Sequence, residues 1–248
     1  MYDIYELWQW IVEHPVISGI VLTLAIFTVC FTGYTSKKIK NIYLHYLDVE
    51  TTSGLTGKEA AEKLLIANGL THVRVESIRG LLQDHYDAQE KVVRLSNHNY
   101  ERSSLAGVAV AAHEIGHAIQ DVENYKPFKM RTKVANFLSF LFRFKIQWVL
   151  VVLGFVMLFA SMGVDGVSLV YVSMGMIIIG FLLPVLNVLF PIVTLVVEVD
   201  ASRRAMAQLT DLNLIRENET PSVKKVLDAA GWTYVANLIE SIWNVFDR

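Results

Sequence analysis

Three long stretches of the chain carry no charged residue. They run from 16 to 36, from 146 to 164 and from 166 to 197. A membrane-spanning helix needs about 20 consecutive, mainly apolar residues. We therefore expect one transmembrane helix in each of the first two stretches. The third is longer, and we expect a transmembrane helix followed by a bent extension, because Pro184 and Pro191 interrupt the run.

The charges beside these stretches predict their orientation. Three lysines lie within 37–40, the segment 126–145 holds six basic residues and no acidic one, and Arg203 and Arg204 follow the third stretch. Basic residues accumulate on the cytoplasmic side of membrane helices. The pattern therefore predicts an N-terminus outside the cell and all three basic segments in the cytoplasm.

The segment between the first two stretches contains both helix and strand patterns, which together predict a small α+β domain. Thr56 and Glu59 are spaced as a capping box, and Gly69 is suited to ending the helix that they begin. Short strands are predicted around 73–75, 81–83 and 91–95. The last of these, if it lies at a sheet edge, could pair with an extended peptide substrate.

A second helix is predicted in this segment, from Ser103 or Ser104 as the cap to about Asp121. Beyond the third stretch we expect helix to about Leu209, then a polar loop, and further helix from Pro221.

The composition narrows the possible classes. The 248 residues are 53% hydrophobic and 19% charged, with a formal net charge of −2 and a mean hydropathy of +0.40. This apolar content excludes a disordered chain, and the near-neutral charge excludes a nucleic-acid binder driven by bulk charge. The single cysteine, Cys30, excludes an intramolecular disulfide scaffold.

The sequence His113-Glu114-Ile115-Gly116-His117 is the strongest chemical signal. Residues four apart lie on one face of a helix, so the two imidazoles can share one Zn²⁺. Glu114 then lies within reach of a water molecule that the metal activates. Two ordinary buried histidines are the alternative, but such residues are seldom buried without a partner on an Ala/Val-rich helix.

A catalytic zinc usually takes three protein ligands and keeps a fourth position open. Glu198 is the candidate third ligand, because a carboxylate at the end of an uncharged membrane run is costly without a role. Alternatively, Glu198 simply marks the return of the chain to water. Asp200, His85 and His98 are the rival ligands.

Other polar residues are candidates for supporting roles. Tyr234, His85 and Tyr86 could donate a second hydrogen bond to the oxyanion that forms during hydrolysis. Asp84 or Asp87 could orient a ligand imidazole, although aspartates in turns are common.

Several separated motifs occur together and in order. They are DHYD, VRLS and AAHEIGHAIQ within 80–120, followed by EVDAS and LDAAGWTYVA. In these motifs the chain resembles the YugP-like neutral zinc metallopeptidases, a bacterial membrane family. The resemblance covers residues 54–248 and implies that Glu198, in EVDAS, is the third zinc ligand.

A more distant resemblance concerns the spacing after that glutamate. The order of these features, HEIGH followed by a membrane segment and then a glutamate, resembles that of the HtpX-like membrane zinc proteases. Those proteases have an aspartate four residues after the glutamate. Here that position is Ser202, and Asp200 comes two residues after Glu198. Whether Asp200 takes the place of that aspartate stays open.

These observations predict a mainly α membrane protein. It has three transmembrane helices and a small α+β zincin-like cytoplasmic domain that carries the HExxH helix. The predicted division is a first helix segment, the zincin-like domain, the second and third membrane segments, and a cytoplasmic helical region that supplies the third ligand: 1–36, 37–145, 146–197 and 198–248.

The predicted function is a zinc-dependent metallopeptidase of the bacterial inner membrane, with its active site on the cytoplasmic side. It would bind one Zn²⁺ per chain, with Glu114 as the general base. The expected partners are a peptide or protein substrate and the lipid bilayer, without nucleic acid. The substrate, the choice between endo- and exopeptidase, and any oligomer or regulatory partner stay open.

Two other functions compete with this one. A site-2-type intramembrane metalloprotease has a similar motif inside a spanning helix. However, the apolar segment Leu105–Ile119 is short for a spanning helix and is flanked by polar sequence. Asp165-Gly166 resembles an Asp-Gly pair of that class, but the flanking charges place it on the far side of the membrane. A non-catalytic membrane scaffold with a structural metal site is the other alternative, but such a site needs no general base such as Glu114.

Overall fold

The computed structural model describes residues 13, 15–161 and 167–244. The chain is mainly helical and contains one three-stranded sheet. Along the described residues the elements are α1 (Pro15–Leu47), α2 (Gly57–Ala67), β1 (Arg74–Ile78), β2 (His85–Asp87), β3 (Val92–Ser96), α3 (Asn97–Glu101), α4 (Leu105–Val122), α5 (Lys126–Arg143), α6 (Ile146–Ser161), α7 (Val167–Leu182), a 3₁₀ turn (Leu183–Val185), α8 (Leu186–Asp211) and α9 (Thr220–Asn244).

Local sequence signals set both ends of α2. The Thr56 side chain accepts a hydrogen bond from the amide of Glu59, and the Glu59 carboxylate accepts one from the amide of Thr56. This is the predicted capping box, and it satisfies two amides that the helix itself leaves without partners. Gly69, with φ of 69°, turns the chain beyond the other end.

The sheet has the order β1-β3-β2, with β1 parallel and β2 antiparallel to β3. The predicted strand at 91–95 forms as β3, but it lies in the middle of the sheet and so cannot be the edge that meets a substrate. The predicted strand at 81–83 is wrong, and the strand is instead β2. Leu82 has φ of 56°, and Asp84 is hydrogen-bonded to Ser96, so the chain turns at 80–84 and aligns with β3 only from His85.

Helix α4 lies at the centre of the core. It packs against α2, α8 and α9 and touches the sheet, and fifteen of its residues are buried. A helix that is apolar on all sides is suited to such a position, and its many alanines let neighbouring helices approach closely. Because protein encloses α4, the structure gives no support to the alternative in which this helix lies in lipid. The hydroxyl of Ser104 caps its start, as one of the two predicted serines.

Helix α1 is longer than the predicted first membrane segment. It continues without a break past residue 36 and ends at Leu47. Tyr43 and Leu47, in its last turns, are buried in the core around α4. The predicted boundary between 36 and 37 therefore falls inside one continuous helix that joins the apolar segment to the core.

Helices α6 and α7 form a closely packed pair. A side chain at Gly154 would collide with Ser173 and Ile177, and one at Gly180 would collide with the backbone of Gln147. Small residues at such contacts let two helix backbones approach each other. The outer faces of the pair carry exposed large apolar side chains: Trp148, Val152, Phe155, Val156, Phe159, Tyr171, Ile178, Ile179 and Phe181.

Across the described ranges, no single helix is both long and apolar enough to cross a membrane. Helices α5 and α6 pass that test only together, as Lys126–Leu141 and Ile146–Ser161, with a bend of 49° between them. The expected break in the third uncharged stretch occurs at the 3₁₀ turn, and Pro191 lies inside α8. The Asp165-Gly166 pair lies outside the described residues.

Candidate metal centre

Two helices bring three ligand-type side chains together. His113 and His117, one turn apart on α4, face Glu198 of α8. The same carboxylate oxygen, Oε2 of Glu198, lies 3.0 Å from Nε2 of His113 and 3.3 Å from Nε2 of His117. All three side chains are buried, and Glu198 is only 1% exposed. Within the described part of the chain, this is the one group of three such residues with ligand atoms close enough to share a metal ion.

The donor set matches zinc in type and spacing. Two imidazoles and one carboxylate are a common set for catalytic zinc, with ligand distances of about 2.0–2.2 Å. Neighbouring corners of a tetrahedron of that size lie about 3.3–3.6 Å apart. The separations of 3.0 and 3.3 Å between the glutamate oxygen and the two imidazoles are close to that edge. All three ligand atoms lie within 4.8 Å of one another, so the set is suited to holding one Zn²⁺.

The far nitrogen of each imidazole also has a partner. Nδ1 of His113 lies 3.1 Å from Oγ of Ser202, and Nδ1 of His117 lies 3.0 Å from Oε1 of Gln120. The amide nitrogen of Gln120 donates to the carbonyl of Val197 and to Asp200, which fixes the orientation of its side chain. Such partners hold a ligand histidine in the tautomer that leaves Nε2 free for a metal.

Gln120 was not among the residues predicted to support the histidines. Gln120 follows His117 by three residues on one helix, a spacing that places the two side chains on one face. That spacing was the available signal. Ser202 was noted only as a departure from the HtpX-like pattern, although it stands four residues after Glu198 and so shares its face of α8.

The rival third ligands lie elsewhere. Asp200 is buried, but its carboxylate accepts from Gln120 and Arg204 and also pairs with Arg203. His85 is exposed, with Nδ1 2.8 Å from the carbonyl of Gln83. His98 lies on α3 and does not belong to the three-residue group.

The two candidate turn aspartates are occupied in turns rather than at the imidazoles. Asp84 accepts from the amide and hydroxyl of Ser96 and from Asn99. Asp87 accepts from the amides of residues 89 and 90 and contacts Arg94.

Of the two tyrosines proposed as oxyanion donors, the structure describes the side chain of Tyr86. The hydroxyl of Tyr86 donates to Asp121 over 2.8 Å. Tyr234 lies on α9, but its side chain is outside the described residues.

Glu114 occupies a distinct position beside the cluster. It is 7% exposed, and its carboxylate accepts a hydrogen bond from the backbone amide of Tyr86 in strand β2. Burial raises the pKa of Glu114 to about 7, in spite of the opposing effects of His113 and of that hydrogen bond. A general base works best with a pKa near the operating pH.

The pKa of Glu198 moves in the opposite direction. Burial alone would raise it, but the adjacent imidazoles of His113 and His117 hold the pKa well below its usual range. Glu198 is therefore kept as a carboxylate, the form that binds a metal. Glu114 is thus suited to exchanging a proton near neutral pH, and Glu198 is suited to binding a metal as an anion.

Gly116 explains how closely the two helices of the centre approach. A Cβ at this position would lie 2.6 Å from the carbonyl oxygen of Ala201 on α8 and 3.1 Å from its Cα. Both obstacles are backbone atoms, which cannot rotate away. The glycine in the motif therefore permits the contact that brings Glu198 to the two histidines.

We expect Gly116→Ala to weaken zinc binding by at least tenfold, because the added methyl group must push α8 and Glu198 away from α4. Zinc titration of the purified variant measures this. Gly175→Ala is the matched control, since nothing lies within 4 Å of a Cβ at that helical position. Wild-type zinc affinity in Gly116→Ala would contradict this account of the contact.

A separate cavity of about 650 Å³ lies between α8 and α9. Its walls are mainly apolar and include Leu195, Val199 and Leu227. Among its lining residues, Ser202 contacts His113, at the nitrogen that faces away from the cluster. We therefore do not assign this cavity to the substrate.

Comparison with known proteins gives two matches. Residues 21–247 match the model of a family described as “Putative neutral zinc metallopeptidase”. The “Putative membrane protease YugP” of Bacillus subtilis (strain 168) is 37% identical over 229 residues, which cover 91% of this chain and 92% of that protein. No solved structure matches the chain.

Proposed function

This chain belongs to the neutral zinc metallopeptidase family, and from that premise we propose that it is a membrane-anchored enzyme that hydrolyses peptide bonds with zinc. The observation that carries the proposal is the convergence of His113, His117 and Glu198 on one point, with Glu114 beside them. A structural metal site has no use for a buried base of this kind, so the arrangement favours catalysis.

In this proposal His113, His117 and Glu198 hold one Zn²⁺ per chain. When bound, the metal supplies a Lewis acid that polarises the scissile carbonyl and makes the attacking water more acidic. Glu114 accepts the proton of that water and then delivers it to the nitrogen of the leaving amine. Gln120 and Ser202 keep the two imidazoles oriented through both steps.

Strand β2 is the best-placed element to hold the substrate. It is the last strand of the sheet on the side of α4, and the amide of Tyr86 within it contacts Glu114. An extended peptide can pair with such an edge through main-chain hydrogen bonds. We propose that the substrate backbone lies along β2, beside the general base. This proposal replaces the sequence-based expectation that the substrate pairs with the strand at 91–95.

Membrane anchoring is part of the proposal. The relative from Bacillus subtilis is named a membrane protease, and the α6–α7 pair exposes many large apolar side chains on its outer faces. The basic segments at 37–40, 126–145 and 203–204 favour a cytoplasmic active site and an N-terminus outside. The three predicted transmembrane helices belong to this proposal.

Cell fractionation tests the anchoring. We expect the protein to sediment with the bacterial membranes, to stay there through an alkaline carbonate wash and to be released by detergent. Release by carbonate alone would show a peripheral protein and contradict the anchoring.

Metal content tests the catalytic proposal. We expect detergent-purified protein to carry about one zinc per chain and to cleave an unstructured protein such as casein. A chelator is expected to abolish cleavage, and added zinc is expected to restore it. Full cleavage in chelator-treated protein shown to be free of metal would overturn the proposal.

A further inference from the structure

One basic residue of the segment 126–145 is not at the free surface. Arg131 of α5 reaches the metal centre, where its Nη2 lies 3.6 Å from Oε1 of Glu198. One turn earlier on the same helix, the buried ring of Phe128 lies 6.0 Å from the ring of His117. Helix α5 therefore forms a wall of the site. Lys133 of the same helix is exposed, as expected of a residue that only sets topology.

The two oxygens of Glu198 have different partners. Oε2 faces both imidazoles, whereas Oε1 faces the guanidinium of Arg131. The Arg131 side chain is 29% exposed, against 10% or less for the three ligand side chains. Arg131 is thus the most solvent-exposed charged group of this cluster.

Metal affinity does not explain this position. A positive charge beside a ligand carboxylate repels a divalent cation and competes with it for the same negative charge. Arg131 therefore costs the site zinc affinity. A cation that opposes metal binding but remains at the mouth of the site is better suited to negative charge that develops on the substrate.

We propose that Arg131 is a catalytic residue that donates a hydrogen bond to the oxyanion formed during peptide hydrolysis. The inference rests on the proposed peptidase function. In described ion pairs Arg131 contacts only Glu198, and a guanidinium has five N–H donors, so donors remain for a substrate oxygen. The hydroxyl of Tyr86, which could have served instead, is already bonded to Asp121.

The step is balanced without a further reactant. A bond forms between the water oxygen and the carbonyl carbon, the π electron pair moves to the carbonyl oxygen, and Glu114 takes the proton. Arg131 donates an N–H to that oxygen and keeps all its protons. When the carbon–nitrogen bond breaks, the electron pair returns to the carbonyl and Glu114 gives its proton to the leaving nitrogen.

The test compares Arg131→Met and Arg131→Lys with Lys133→Met, which removes a charge from the same helix at an exposed position. The measurements are zinc affinity, kcat and KM on a peptide, and the affinity of the zinc-loaded protein for a phosphonamidate peptide, a tetrahedral anion that resembles the transition state. All variants are checked for wild-type thermal stability.

We expect Arg131→Met to bind zinc at least as tightly as the wild type, while kcat falls about 100-fold or more and KM changes little. Phosphonamidate affinity is expected to fall with kcat. Arg131→Lys is expected to recover part of both, and Lys133→Met to match the wild type.

Three results would overturn the assignment. Weaker zinc binding in Arg131→Met would make Arg131 a positioning residue for Glu198. A raised KM with unchanged kcat would assign it to substrate binding alone, and an equal loss in Lys133→Met would indicate bulk charge. If the zinc-loaded wild type cleaves no peptide, the proposed function fails, but zinc and phosphonamidate binding still test Arg131 because neither needs turnover.

Discussion

Glu114→Gln is expected to keep about one zinc per chain and to lose peptide cleavage by about a thousandfold, within the range for removing a general base. The amide of glutamine has the shape of the carboxylate but cannot accept the proton of the attacking water. The zinc is expected to stay because Glu114 is not one of the three residues whose ligand atoms converge. Folding is expected to persist, since the glutamine oxygen can still accept from the amide of Tyr86.

Turnover per bound zinc is the measurement for this variant. Glu123→Gln is the matched control, because that residue lies just beyond the same helix but is exposed and paired with Arg204. We expect the control to cleave at the wild-type rate. Wild-type turnover by Glu114→Gln would remove Glu114 from the mechanism and return the scaffold hypothesis to consideration.

Glu198→Ala is expected to weaken zinc binding by at least about 100-fold, because it removes one of three protein ligands. Its effect should exceed that of Asp200→Ala, which removes only a partner of Gln120 and for which about tenfold is expected. His113→Ala gives the reference for a lost imidazole ligand.

Zinc titration of the three purified variants separates the two carboxylates. The proposed site requires Glu198→Ala to resemble His113→Ala. If Glu198→Ala binds zinc like the wild type while Asp200→Ala does not, the third ligand is Asp200. The ligand assignment implied by the family resemblance is then wrong at Glu198.

Much of the local structure could be predicted because the interactions that set it are short-range. The capping box of Thr56 and Glu59 involves residues three apart and is present as predicted. The HExxH helix follows from its own apolar pattern and from the Ser104 cap, and its spacing places His113 and His117 one turn apart. The family was recognisable because several motifs occurred in order along the chain, and the comparisons show that family.

Strand pairing was predicted less well, because it depends on contacts between distant segments. The stretch 81–83 has strand-like residues, but Asp84 bonds to Ser96, twelve residues away, and forces a turn before β2. Nothing within 91–95 indicates that β3 would have a neighbour on each side. The condition on the substrate-pairing prediction, that 91–95 lies at a sheet edge, could therefore be checked only in the folded sheet, where it is not met.

The sequence by itself determined that two histidines lie one turn apart on a helix with a glutamate between them, since the residue spacing and the helical period fix that arrangement. Only the tertiary structure decided which carboxylate meets the imidazoles and which groups support them. Glu198 lies 81 residues from His117, and the approach depends on Gly116 admitting the backbone of α8. In the sequence, Arg131 cannot be distinguished from the other basic residues of 126–145. Its position beside Glu198 is visible only in the structure, because burial and charge pairing arise when distant helices pack together.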